Sequence, residues 1–167
     1  MIRIISKYVI MFISLVLVQV LIFNQVQFSG FFNPYIYVLF VLLLPLSTPR
    51  YLMLVSAFLL GFVIDVFSNS LGVHSAATVF VAYIRPLVIR LISNREDDRS
   101  EYPGLNQNKL SWFINYVFII VFIHHAILFY LEVYTFANFF NTLYRVILSS
   151  LFSIIVIVLS QFLVFRD

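Results

Sequence analysis

The sequence predicts an all-α integral membrane protein with six transmembrane helices and both termini in the cytoplasm. Three observations carry that prediction. Of the 167 residues, 63% are apolar and only 10% are charged, whereas a water-soluble domain is nearer half apolar and a quarter charged. The apolar residues are gathered into runs that approach or reach the roughly 20 residues a bilayer-spanning helix needs. Lys and Arg fall on alternate loops, as they do when one side of a membrane retains positive charge. A mean hydropathy of +1.06 leaves too little polar surface for a soluble enzyme, a disordered tail or a nucleic-acid module. The net charge of +3 is the basic excess of cytoplasmic loops rather than a nucleic-acid footprint. There are no cysteines, so disulfides and Cys-ligated metals are excluded. The length allows one domain, residues 1–167.

The elements follow in order. Arg3 and Lys7 precede an apolar run ending at Phe23, and no Ala-x-Ala-like site follows it. The run is therefore expected to be a retained transmembrane helix over 5–23 rather than a cleaved signal. A neutral linker punctuated by Gly30 and Pro34 leads to a second span, 34–47. As a helix it would rise only roughly 21 Å, short of the roughly 30 Å hydrocarbon core. It would have to recruit Phe31 and Phe32 or thin the bilayer locally. Thr48 suits an N-cap and Pro49 a first helical position, so the third span is expected over 49–67. The turn formers Ser68-Asn69-Ser70-Leu71-Gly72 break the chain before a fourth span, 73–92. The stretch 93–110 carries Arg95-Glu96-Asp97-Asp98-Arg99-Ser100-Glu101 and reads as a solvated cytoplasmic loop. Ser111 is placed to cap a fifth span, 112–131. After a polar break over Asn138 to Asn141, the sixth span is 142–165.

Basic residues set the orientation. Arg3, Lys7, Arg50, Arg90, Arg95, Arg99, Lys109 and Arg166 all fall on one side of this six-span layout, which places both termini in the cytoplasm. Arg145 is the exception, at the outer start of span six. No internal repeat is visible, so an inverted-repeat transporter gains no support.

Polar residues inside a membrane are costly, and each needs a reason. Asp65 ends the stripe Ala57-x-x-x-Gly61-x-x-x-Asp65. Spacing of four puts all three on one helix face, where small residues let another helix approach closely. Asp65 lies roughly 22 Å along the helix from Arg50, near the outer interface. Three roles stay open for it: a cap for the 68–72 turn or the start of span four, a proton or ion site, or a ligand or partner contact. Arg85, just before Pro86, is placed either to snorkel towards the cytoplasmic side or to bond internally, and Pro86 is a candidate kink. Adjacent His124 and His125 point about 100° apart on a helix. They cannot share one metal, and a single one is expected to face the bundle interior. His74 sits at the outer end of span four. Glu132 and Arg145 flank the outer ends of neighbouring spans, where an ion pair would act as a clasp and account for the exception to the charge rule. Ser149-x-x-x-Ser153 is a second small-residue stripe, read as packing. No Gly-x-Ser-x-Gly, His-Glu-x-x-His or phosphate loop is present, so no catalytic set, metal or cofactor is expected.

The segments Gly61-Phe62-Val63-Ile64-Asp65 and Leu71-Gly72-Val73-His74, followed by Tyr83, resemble the pattern of the rod shape-determining protein MreD family. The chain's size, basic start and hydrophobic layout agree with it, and its wealth of Phe, Ile and Asn resembles a Bacteroidetes-type member. The resemblance implies a non-enzymatic subunit of the cell-wall elongation machinery in the bacterial inner membrane. Its implied partners are the bitopic protein MreC, the glycosyltransferase RodA, a class B penicillin-binding protein and, indirectly, the actin-like MreB. It further implies a helix arrangement similar to the S-components of energy-coupling-factor transporters, with Asp65 and the 71–74 turn near an outward-facing cavity. Fold similarity does not transfer function. An S-component-like small-molecule-binding subunit is the alternative, although the Ala-x-x-x-Ala coupling stripe expected on span one is missing, since 5–23 contains no Ala. Gly61, Asp65, Gly72 and His74 are the expected core of either function.

Overall fold

The computed structural model describes residues 2–25, 33–93, 101–134 and 138–163. Helix α1 covers Ile2–Val18 and runs on as a π-helical turn, Gln19–Phe23. Short α2 covers Leu39–Leu43, followed by α3 (Arg50–Ser68), α4 (Val73–Ile92), α5 (Leu110–Val133) and α6 (Phe139–Leu163). There is no strand among the described residues. Five of these helices, α1 with its π turn and α3 to α6, are long and apolar enough to cross a membrane, the pattern of a multi-pass membrane protein.

The distribution of polarity is that of a protein dissolved in lipid. Gln19, Arg85, His124, His125, Ser149, Ser153 and Gln161 are buried, while Phe58, Phe62, Leu87, Leu151 and Leu159 are exposed. Hydrocarbon solvates apolar side chains as well as a protein core does, so it is the polar groups that must find partners inside. Helices α3, α4, α5 and α6 pack in chain order, each against the next, and α1 leans on α2 and α3.

The second expected span differs from the prediction. Of 34–47, only Leu39–Leu43 is helical; residues 33–36 are non-helical and 37–38 form a turn. Residues 34–42 are nonetheless buried throughout, with Tyr37, Val38, Val41 and Leu42 wholly so. It starts level with the end of α3, where Gln19 bonds both the Pro34 carbonyl and Asn24, and Asn24 bonds Ser68. It ends level with the start of α3, where Arg85 bonds both Leu44 and Met53. Met53 to Ser68 is roughly 22 Å of helix. A residue outside a helix can advance up to about 3.3 Å against 1.5 Å within one, so a partly non-helical chain can cover a length that a helix of the same few residues would not. Phe31 and Phe32 lie outside the described residues.

Smaller differences concern helix starts. Helix α3 begins at Arg50 with Pro49 in the capping position, because the fixed φ of Pro49 is paired with an extended ψ of 139°. Helix α5 begins one residue before Ser111, with Lys109 preceding it, so Ser111 lies within the first turn and is no cap. Helix α4 continues through Pro86. In the polar loop, Arg95 and Arg99 lie outside the described residues, as do Arg166 and the end of the sixth span. Residues 101–109 are irregular, with bends and one turn over 105–107, and Asn108 donates to the Tyr102 and Gly104 carbonyls.

Candidate functional site

The α3–α4 turn is built by two residues in left-handed conformation. Asn69 (φ 51°) ends α3 and Gly72 (φ 84°) begins α4. A glycine in that position has no side chain to cap the helix it starts, and the first amides of α4 need acceptors. Asp65, one turn before the end of α3, supplies them across the helix pair. Its Oδ1 accepts from the His74 backbone N–H (3.0 Å) and from the Ser70 hydroxyl (2.6 Å). Its Oδ2 accepts from the Ser75 N–H (2.9 Å) and the Ser75 hydroxyl (2.5 Å). Of the three roles open for Asp65, the geometry displays the cap, with the positive end of α4 compensating the carboxylate. Asp65 is only 4% exposed.

Gly61 makes this reach feasible. A Cβ there would stand 2.5 Å from Ser75 Cα and 2.8 Å from the His74 carbonyl carbon. The backbones of α3 and α4 thus touch one turn below the carboxylate, and buried Ala57 extends the contact face.

His74 is held by the same carboxylate. Its Nδ1 lies 3.0 Å from Asp65 Oδ1 and 3.0 Å from the Ser70 hydroxyl. An ionised carboxylate only accepts, so Nδ1 carries a proton and donates. Nε2 is buried and has no hydrogen-bond partner among the described residues. The imidazole lies edge-on to Tyr35, with ring centres 5.2 Å apart. It forms part of the wall of a cavity of about 340 Å³, together with Asn24, Ser68, Tyr35 and Glu132.

The other intramembrane polar residues serve the central segment. Gln19 receives the Ile36 N–H and donates to the Pro34 carbonyl. Ser149 and Ser153 accept from the N–H groups of Asn33 and Tyr35. The packing stripe on α6 is therefore also a row of acceptors. Arg85, 2% exposed, does not snorkel. It turns inward, donating to the Leu44 and Leu42 carbonyls and, 2.8 Å away, to the Tyr116 hydroxyl. Tyr116 in turn donates to the Leu42 carbonyl. Non-helical backbone at membrane depth is tolerable only with such partners.

The expectation that a single one of His124 and His125 faces inward is corrected: both are fully buried. Helix α5 is wedged between α4 and α6, so it has two interior faces. His124 Nε2 meets the Tyr37 hydroxyl at 2.9 Å. His125 Nδ1 donates to the Val121 carbonyl, and its Nε2 accepts from Ser153. Glu132 and Arg145 lie 3.0 Å apart, with the guanidinium 4.1 Å above the Phe129 ring. No group of His, Cys, Asp and Glu able to hold a metal occurs among the described residues.

Sequence reasoning missed Gln19, Tyr37 and Tyr116. Their signal was a polar atom in the middle of an apolar run, the criterion that singled out Asp65 and Arg85. Gly61, Asp65, Gly72 and His74 are brought together at one end of the bundle, and Glu132 shares the cavity wall with His74, whereas Arg85 stands apart from them. No family model, curated protein or solved structure matches the chain.

Proposed function

We propose that this chain is a non-catalytic scaffold subunit of the MreD type, acting in the bacterial inner membrane within the cell-wall elongation complex. In this reading the chain crosses six times, with both termini in the cytoplasm and helices arranged as in an S-component. The partly non-helical segment 34–44 makes the second crossing. Its partners are an MreC-like bitopic protein, RodA and a class B penicillin-binding protein, with MreB reached indirectly.

The observation that carries the reading is how the polarity is used. Gln19, Asp65, Arg85, His125 and Ser153 are all engaged in bonds that hold the chain's own backbone or helix ends. The lipid-facing surface is left apolar and grooved. One groove of about 640 Å³ runs along α3 and α4 between Phe58, Phe62, Phe80 and Tyr83. Another of about 670 Å³ lies between α1 and α6, floored by Ile36 and Leu39. Grooves of this kind suit the single helix of a bitopic partner, and a scaffold acts by binding one partner state better than another.

Co-purification tests the proposal. A chromosomal copy tagged at its C-terminus is solubilised in mild detergent and its bound proteins identified by mass spectrometry. Recovery of MreC, RodA and the penicillin-binding protein is expected. Recovery of ABC-type ATPases with a membrane coupling subunit would instead establish the second reading, a small-molecule-binding subunit, which the cavity beside His74 favours.

A further inference from the structure

The two lipid-facing grooves differ in what they admit. The α3–α4 groove has Gly72, Ser75 and Ala76 among its lining residues, small enough for the backbone of another helix to come close. The groove between α1 and α6 is lined by no glycine or alanine. Met11, Leu15 and Val18 of α1 and Ile157 of α6 form its walls over a floor of Ile36 and Leu39. Side chains of this bulk hold a rigid helix off, whereas a flexible hydrocarbon chain conforms to them. Helix α1 leans on α2 and α3, and α6 on α5, so no described helix closes the gap. Left unfilled, its roughly 670 Å³ would cost the walls their dispersion contacts.

One end of this groove is charged. Lys7 lines it, in the first turn of the Ser6–Phe23 membrane span. Lys7 is exposed and makes no ion pair or hydrogen bond with the described residues. No carboxylate lines the groove. From Lys7 to Val18, the last groove residue on α1, the helix rises roughly 17 Å. One leaflet of a roughly 30 Å hydrocarbon core is about 15 Å deep. A cation at the interface with an apolar trough one leaflet deep beneath it complements a lipid with an anionic head and a hydrocarbon tail.

We propose that the α1–α6 groove binds one anionic phospholipid, with an acyl chain against Met11, Leu15, Ile36 and Leu39 and the phosphate beside Lys7, whose charge attracts anionic headgroups. Seated there, the tail completes the packing around the central segment. The α3–α4 groove is left to a partner helix. The proposal concerns a lipid and not the protein partners named above, so it and the co-purification can fail separately.

The full-length chain in detergent is titrated with phosphatidylglycerol and, separately, with phosphatidylcholine of the same acyl chains, and bound lipid is counted by native mass spectrometry. Saturable binding of one phosphatidylglycerol, in preference to phosphatidylcholine, is expected. Lys7→Gln should weaken phosphatidylglycerol roughly fivefold, the effect of one basic residue at an anionic surface, and remove the preference. Lys109→Gln removes the same charge from another exposed lysine, outside the groove, and should change nothing. Ser14→Phe puts a ring into the groove from an exposed position and should weaken both lipids. A photo-reactive benzophenone amino acid at position 14, irradiated in intact cells, is expected to capture phosphatidylglycerol above its share of the membrane, and to lose that enrichment in Lys7→Gln. The proposal is overturned if the two lipids bind equally, if Lys7→Gln and Lys109→Gln act alike, or if Ser14→Phe leaves binding unchanged. It is equally overturned if the cross-link captures lipid in proportion to membrane composition, or a polypeptide, which would make this groove a helix seat.

Discussion

Arg85 and Tyr116 converge on one carbonyl oxygen, that of Leu42, and bond each other at 2.8 Å while doing so. The pair joins α4 and α5 to the end of α2, and it holds the backbone where the central segment leaves its short helix. Arg85 also reaches Leu44, which Tyr116 does not.

The two members should therefore differ. Arg85→Leu orphans the Leu44 carbonyl and is expected to cost about 1–3 kcal/mol. Tyr116→Phe leaves Leu42 with Arg85 and should cost about 1 kcal/mol. Thermal unfolding in a single detergent, run as a double-mutant cycle, checks this. Equal losses for the two single variants would mean that the Leu44 bond contributes nothing.

Gly61 has no room for a larger residue. In Gly61→Ala the added methyl meets backbone atoms of Ser75 and His74, which cannot rotate away as a side chain would. Overpacking of this kind costs about 1–3 kcal/mol; Gly61→Leu should prevent accumulation in the membrane. Quantitative blotting of membrane fractions measures both, and normal accumulation of Gly61→Leu would disprove the close contact.

Asp65→Asn keeps the shape of the cap and reverses one half of its chemistry. An amide must turn NH2 towards either the His74 or the Ser75 N–H, setting donor against donor. A loss of about 2–3 kcal/mol is expected, and Asp65→Ala should lose at least as much. Amide hydrogen exchange at His74 and Ser75 offers the local reading: their protection should collapse in Asp65→Asn while that of α6 persists.

Ser153→Ala removes an acceptor from the Tyr35 N–H and a donor from His125 Nε2 at once. It should be more harmful than Ser149→Ala, whose lost partner, Asn33, lies at a part-buried site. Equal melting temperatures for the two variants would count against the central segment being held from α6.

For the Glu132–Arg145 pair a small coupling is expected. The carboxylate side is 43% exposed, and such pairs contribute about 0–1 kcal/mol. Arg145→Ala should cost more than Glu132→Ala, because it also removes the guanidinium from the Phe129 face. Added salt should reduce the coupling measured in a double-mutant cycle and leave the Phe129 contribution nearly unchanged.

The long helices were legible because their limits are written locally. Helix α4 occupies Val73–Ile92, as predicted, since turn formers stand on one side of it and a charged loop on the other. Likewise, the four-residue spacing from Ala57 to Asp65 is a property of one helix and could be read as one face. The segment 34–47 was illegible for the opposite reason. Its composition suits a helix, and its partly non-helical course depends on acceptors and donors from α4, α5, α6 and the π turn after α1. The two histidines were illegible for a similar reason: a single inward-facing histidine requires a helix with one buried side, and only the packing order reveals that α5 has two. Asp65 falls between these cases. Its position was readable, but its partners lie on the far side of a turn whose shape depends on two left-handed residues.

The buried course of the central segment constrains the order of biogenesis. Residues 33–36 leave the ribosome before α6 exists, yet the acceptors for the Asn33 and Tyr35 amides are Ser149 and Ser153, more than a hundred residues later. Until the last helix arrives, those amides have only water or the insertion machinery to satisfy them. The first half of the chain must therefore wait in a provisional arrangement, and the C-terminal helix serves as the closing step of assembly rather than its final ornament. A chain shortened before α6 would keep most of its hydrophobic length and still lack a place to lay its own middle.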